Sequence, residues 1–560
     1  MTIIWMIAFS FLSVALVFPV SSATADAPAG LNTVVTPVEV APKSVNAAAQ
    51  PSQDRQIRRH YPDPELIRST KAAYASGKTG PSKHGNPPPP PPVPQQTASS
   101  AASLSFGNNF VGLGFLDTLG YWPPDTTIAA GTVGSSPTTS TALLEAVNLT
   151  AEVFDTSGTA GSSFDISSFT PDSFVDSVSD PRVLHDSANG GHWLISLTTF
   201  APLSDSGWNL AVSVTNDPAG SYYFYHFSTA AVTNPDGSVG NFPDFPKIGF
   251  NGDKIVLTGN AFSTVQKGLR TSYKFQGSEF IALNKDEIEN GGPTCATFFP
   301  PPQGAAAIEP ALQLPATSTT TSSNPDNLYM AAVNSSVSST STLDVWTVTG
   351  LPTYNGSSCP GNFIATVTPL SIGAISTPAN AQQLGTSVLI DTNDDSLLDA
   401  VFRDGSPGSL WVSANDGCVP TGDSATRSCA RLIEVSIPAS SSMSVAQDFD
   451  FVRAGSYYYY PAVRTNSSGD LIAVFSGSSS ASYASVYAAM QLSGDQANTA
   501  GHYGLVHAGD APDTMSPPRW GDYSGAGVDP DDTTFWIAGE YATSDPFFGS
   551  IWGTWVASVP

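Results

Sequence analysis

Charge is what this chain has least of: 12% of its 560 residues are Asp, Glu, Lys or Arg, and only 21 are Lys or Arg. Nucleic-acid binding is excluded on that ground, because neutralising phosphates takes clustered cations. Histidine is also scarce, with 7 residues and no His-Glu-x-x-His pair, so zinc-dependent hydrolysis lacks a ligand set. The 4 cysteines include no Cys-x-x-Cys arrangement, which argues against structural zinc. No Gly-x-Ser-x-Gly elbow occurs to support an α/β-hydrolase nucleophile. Beyond residue 23 no apolar stretch is long enough to span a bilayer.

What the chain does have is Ser, Thr, Gly and Pro, with 48 glycines and 46 prolines. That balance fits a β-rich exported protein with little helix. Acids exceed bases by 47 to 21 overall. Acidity of this size suits solubility first, and calcium binding or a cationic partner second.

Three segments follow one another. Residues 1–25 read as a secretory signal peptide, an apolar run ending in Ala23-Thr24-Ala25; the absence of Lys and Arg ahead of it leaves an uncleaved anchor as the rival. Residues 26–104 read as a disordered or propeptide-like segment. It holds a basic stretch from Arg55 to Lys71, a short helix over 64–75, and a polyproline spacer from Pro87 to Pro94. Residues 105–560 form the globular domain. Its cysteines pair most simply as Cys418–Cys429 and Cys295–Cys359 in an oxidising compartment.

Within that domain a unit recurs: a polar-to-apolar strand, a turn, then an aromatic strand. It is legible at Arg519–Ser524 with Thr534–Ala538, at Asp180–Leu184 with His192–Ser196, and at Asp244–Phe250 with Lys254–Leu257. Seven such units are anchored near Asp125, Arg182, Asp244, Glu309, Gln382, Tyr460 and Asp522. Spaced repeats of this kind predict an all-β, seven-bladed β-propeller. Leu104–Phe106 or Phe110–Gly112 is expected to supply a strand to the last blade and close the ring.

Pro124-Asp125-Thr126-Thr127, Asp180-Pro181-Arg182-Val183-Leu184, Phe242–Gly249, Phe402–Gly405 and Arg519–Ser524 resemble the signatures of secreted bacterial β-propeller proteins. That group is similar in architecture to the sialidase-like superfamily and largely without assigned activity. The resemblance implies the fold and carries no catalytic residues. Sialidase Asp-boxes, Ser-x-Asp-x-Gly-x-x-Trp, are absent, and Ser413–Gly417 departs from them at the key positions.

Inner strands of a propeller line its channel, so polar residues at their entrances converge from distant parts of the chain. The candidate catalytic residues are therefore Asp125, Asp244, Glu309, Tyr460 and Asp522, as acid, base or nucleophile. Arg182, Lys247, Arg464, Arg519 and Trp520 are the candidate substrate-binding residues, the arginines as carboxylate clamps. Asp125, Asp244 and Asp522 are also candidate calcium ligands. Asp391–Ser396 resembles a calcium loop, but position twelve is Phe402, so a hairpin turn is the expectation. Tyr457–Tyr460, Trp520, Trp536, Tyr541 and Trp552 would serve a sugar-stacking platform or packing between blades. Two functions remain open: a secreted, monomeric module binding an extracellular glycan or protein at the channel mouth, or a carbohydrate-active enzyme, glycoside hydrolase or polysaccharide lyase.

Overall fold

The computed structural model describes residues 31–36, 38–40, 43–44, 95–97 and 102–560, the last apart from Leu119, 135–138, 170–176, 202–204, 268–269, 302–306, 315–325, 334–338 and 516–518. The signal peptide, the basic segment with its helix, and the polyproline spacer lie outside the described residues. Among the described residues no helix is long and apolar enough to cross a membrane.

Strands rich in β-branched and aromatic residues pair in sequence order into seven small sheets, the blades of a propeller. Blades 1, 2 and 3 begin with the inner strands Thr127–Val133, Ser177–Asp186 and Phe242–Phe250. Blades 4 to 7 begin with Glu309–Pro310, Leu397–Arg403, Ser456–Thr465 and Gly525–Val528. Six of the seven expected anchors lie on these strands or within a few residues ahead of them. Gln382 does not: the inner strand of blade 5 starts at Leu397, and Gln382 is an exposed residue in the long loop before it. Asp391–Ser396 belongs to that same loop and leads into the inner strand, so it is not a hairpin turn. The sole regular pairing there is one bridge, Ala381 to Ile390.

Closure works as expected, with Asn109–Gly114 pairing antiparallel to Gly549–Val559 as the outer strand of blade 7. Apolar side chains then seal each junction between neighbouring blades. Blades 7 and 1, the junction that closes the ring, share Ile128, Leu143, Phe154, Trp536 and Val556, and blades 1 and 2 share Leu144, Phe164, Trp193 and Tyr222. Alternation along each strand puts these residues on the packed faces. The disulfides Cys295–Cys359 and Cys418–Cys429 both form, which fits an oxidising compartment.

The described parts of residues 26–104 form strands. Leu31–Val35, Val38–Val40 and Lys43–Ser44 add a further outer strand to blades 3, 2 and 1 in turn. Gln95–Thr97 and Ala102–Ser103 do the same, in parallel, for blades 5 and 6. Asn32 anchors this belt: its amide donates to the Gly361 carbonyl at 3.2 Å and to Asn362 Oδ1 at 2.8 Å.

Candidate functional site

A backbone device recurs at the entrance of the inner strands. Asp125, Asp180, Phe245, Ala307 and Tyr460 all adopt φ between 48° and 57°. Asp180, Phe245 and Tyr460 are each followed by Pro, and each sits where the register with the second strand slips. Left-handed backbone at bulky residues costs on the order of 1–3 kcal/mol each and persists only where the surroundings impose it. The bulges turn the following side chains, Arg182 and Lys247, toward the axis.

At the mouth, Asp125 is buried and both of its oxygens face N–H donors: the Asp522 amide at 2.7 Å and the Asn148 side chain. Asn148 Oδ1 accepts from the Asp180 amide at 2.9 Å, tying blade 1 to blade 2. Gly521 permits this approach, since a Cβ there would lie 2.9 Å from Glu540 Oε2 and 3.1 Å from the Asp125 nitrogen. Arg519 pairs with Asp522 at 3.2 Å, and these two side chains retain 19% and 13% exposure. Asp244 lies on the inner strand of blade 3, its charge felt by Asp180.

Deeper, the charges cancel in pairs. Lys247 Nζ is 2.6 Å from Glu309 Oε2, with side-chain exposures of 1% and 4%, and it also donates to the Leu398 carbonyl at 3.0 Å. Arg464 Nη1 meets Asp399 Oδ2 at 2.6 Å. Arg182 lies over the Tyr523 ring, 3.5 Å from its centroid, and donates to the Leu398 carbonyl at 3.3 Å. Tyr523 stacks on Phe245 at 5.0 Å. Tyr460 donates its hydroxyl to the Asp391 carbonyl at 3.1 Å, and Trp520 Nε1 donates to Ser476 at 3.0 Å. Phe245, Leu398, Tyr459, Tyr460, Trp520 and Tyr523 form one buried cluster that fills the axis.

All ten candidates therefore gather around the axis. Most are buried, and Asp125, Arg182, Lys247, Glu309, Arg464, Arg519 and Asp522 are tied to other groups of the same chain. Tyr457–Tyr460, Trp536 and Trp552 are buried as well, so they pack blades instead of presenting a platform. Sequence reading passed over Asp180, Phe245, Asp399 and Tyr523 as site residues. The bulky residue before Pro in Asp180-Pro181, Phe245-Pro246 and Tyr460-Pro461 was the available signal. Of the candidate calcium ligands, Asp125 already accepts an N–H donor at each oxygen. Among the described residues no group of three His, Cys, Asp or Glu gathers for a metal.

Burial sets the electrostatics. It raises the Asp125 carboxyl to about 7, with the Asp522 charge as the next cause. Burial first, then Asp125, pushes Asp180 well above the carboxylate range. Elsewhere burial, helped by the charges of Glu152 and Asp117, raises Glu145 to about 7, and burial raises Glu279 to about 8. Each of these acids holds a proton when folded that it releases when unfolded above about pH 4. Their stabilising contribution is full below that pH and is lost as pH rises toward 7 to 8. Asp155 is the opposite case, held down to about 2 by the Ser157 hydroxyl, so its contribution fades only as pH falls below about 4. The urea midpoint is expected to rise between about pH 8 and pH 5; a fall across that window would contradict these assignments.

No protein-family model matches the chain, and no curated protein does. Solved structures do match. A Dyadobacter fermentans protein of unknown function aligns at 9% identity over 68% of this chain and 94% of its own, with a TM-score of 0.31. A leech intramolecular trans-sialidase aligns at 10% identity over 71% of this chain and 79% of its own, with a TM-score of 0.35. Trypanosoma rangeli sialidase aligns at 11% identity over 72% of this chain, with a TM-score of 0.29, and 57% of its own length is spanned. The structural neighbours include sialidase-type propellers. At these identities and TM-scores nothing about function follows.

Proposed function

We propose that the protein is a secreted, monomeric, non-catalytic propeller that binds an extracellular glycan or protein partner on the rim of its channel mouth. One observation carries this reading: the acids and bases at the axis are partnered within the chain. Glycosidic cleavage takes two carboxyls facing a sugar-sized gap. Here Glu309 is buried in an ion pair with Lys247, and Asp125 is capped by N–H donors. Arg519 and Asp522, still touching solvent, form the polar rim available to a ligand.

The second reading, a carbohydrate-active enzyme, draws on one feature. Asp125, held near neutrality beside Asp522, has the perturbed acidity often found at active sites. Asp522→Asn and Asp244→Asn separate the two. A binding module releases no reducing or unsaturated ends from any polysaccharide, and Asp522→Asn weakens ligand retention about tenfold. Release of product by the native chain, abolished in folded Asp522→Asn, would establish the enzyme instead.

A further inference from the structure

A cavity of about 480 Å³ opens between blades 5 and 6, at the end where their inner strands leave the axis. Arg403 and Thr465, the last residues of those strands, line it, so it lies on the face opposite the channel mouth. Its size falls within the range of small-molecule sites.

The lining is organised. Glu434 accepts from Ser409 at 2.6 Å through Oε1 and from Gln447 at 2.8 Å through Oε2. Gln447 and Gln491 exchange amide hydrogen bonds at 3.1 and 2.9 Å across the blade junction. The Asn498 backbone fixes the Gln447 carbonyl at 2.6 Å. Thr465 is 3% exposed, and its Oγ1 is buried with no hydrogen-bond partner among the described residues. Trp411 supplies an apolar wall. Gln491 Nε2 also donates to the Gln496 and Thr499 carbonyls at 3.3 and 2.6 Å, so the amides are spent in holding Glu434 in place. The capacity left over is the remaining lone pairs of the Glu434 carboxylate and the Thr465 hydroxyl, which the hydroxyls of a ligand match by donating.

Charge decides among hydroxyl-bearing ligands. Asp404, Glu434 and Asp495 line the cavity, and its one cation, Arg403, is already held by Asp532 at 2.9 Å. An anionic sugar would enter a net negative site and be repelled. We infer that this cavity is a binding site for a neutral saccharide of one or two units. The site is separate from the channel mouth and does not depend on it.

Isothermal titration of the full chain with glucose, galactose, mannose, N-acetylglucosamine and their disaccharides, beside glucuronate and sialic acid, tests this. Neutral sugars are expected to bind in the millimolar range or tighter, and the two acids not to bind. Ser468→Trp, placed on the exposed rim to fill the cavity without touching the core, is expected to weaken binding at least about tenfold. Gln447→Leu should do the same, and Phe547→Ser, at an exposed position away from both the cavity and the mouth, should change nothing. Undiminished binding in Ser468→Trp, binding of the acids alone, or no binding of any neutral sugar overturns the site. Loss of binding in Asp522→Asn with Ser468→Trp unaffected would overturn it and support a glycan at the mouth. Retention of a protein partner that depends on Arg519 and Asp522 is read separately and bears only on the mouth.

Discussion

Lys247→Met is expected to destabilise the fold by about 3–5 kcal/mol, because it leaves Glu309 as a buried charge without its contacting partner, with only the weaker influence of Arg182. The pair is 2.6 Å apart and almost wholly withdrawn from water. Burial lowers the lysine to about 8, with Glu309 opposing that shift. Burial also raises Glu309, so the carboxyl can take up a proton once its partner is gone. The loss should therefore shrink as pH is lowered through the acid range. Lys247→Met combined with Glu309→Gln removes both charges and is expected to recover most of the stability, since replacing a buried pair outright is often close to neutral. Urea unfolding of the single and double variants at two pH values measures this. A single variant within about 1 kcal/mol of the native chain would mean that the axis is wetter than described.

Removing residues 1–104 is expected to produce the second large effect. The outer edges of blades 1, 2, 3, 5 and 6 would lose their added strands, from Leu31–Val35 to Ala102–Ser103. Cross-strand pairs contribute roughly 0.2–1 kcal/mol each, so the sum is on the order of 5 kcal/mol. Bare edges are also templates for pairing between molecules. The shortened chain should have a lower urea midpoint and form concentration-dependent aggregates, whereas removal of residues 1–25 alone should do neither. A shortened chain that matched the full one in midpoint and stayed monodisperse would show that the belt is ornamental to the fold.

The propeller was legible because each blade announces itself locally. Asp180–Leu184, Asp244–Phe250 and Arg519–Ser524 carry the inner-strand pattern within a few residues, and turn residues such as Asn251-Gly252 mark the next strand. Of the two segments expected to close the ring, Phe110–Gly112 is the one that does, and the simplest of the three cysteine pairings is the one formed. The belt was not legible, because pieces of two to five residues show no periodicity and draw their pairing from the blades they meet. Gln382 misled as an anchor for a related reason: a long loop precedes the inner strand of blade 5, and local pattern does not count loop residues. The candidate site was legible as a gathering of residues but not as a chemistry. Arg182 reaches the Leu398 carbonyl 216 positions away, and Asp522 reaches Asp125 across 397. Such partners decide whether a charge is free for a ligand, and only the closed ring brings them together.

The most direct test of a self-paired, non-catalytic mouth is a glycan and polysaccharide array probed with the full chain, with and without calcium. It should be read at once for retained ligand and for released reducing or unsaturated ends. Retention without product, unchanged by calcium, is the result the account predicts. Released product that disappears in Asp522→Asn would contradict it.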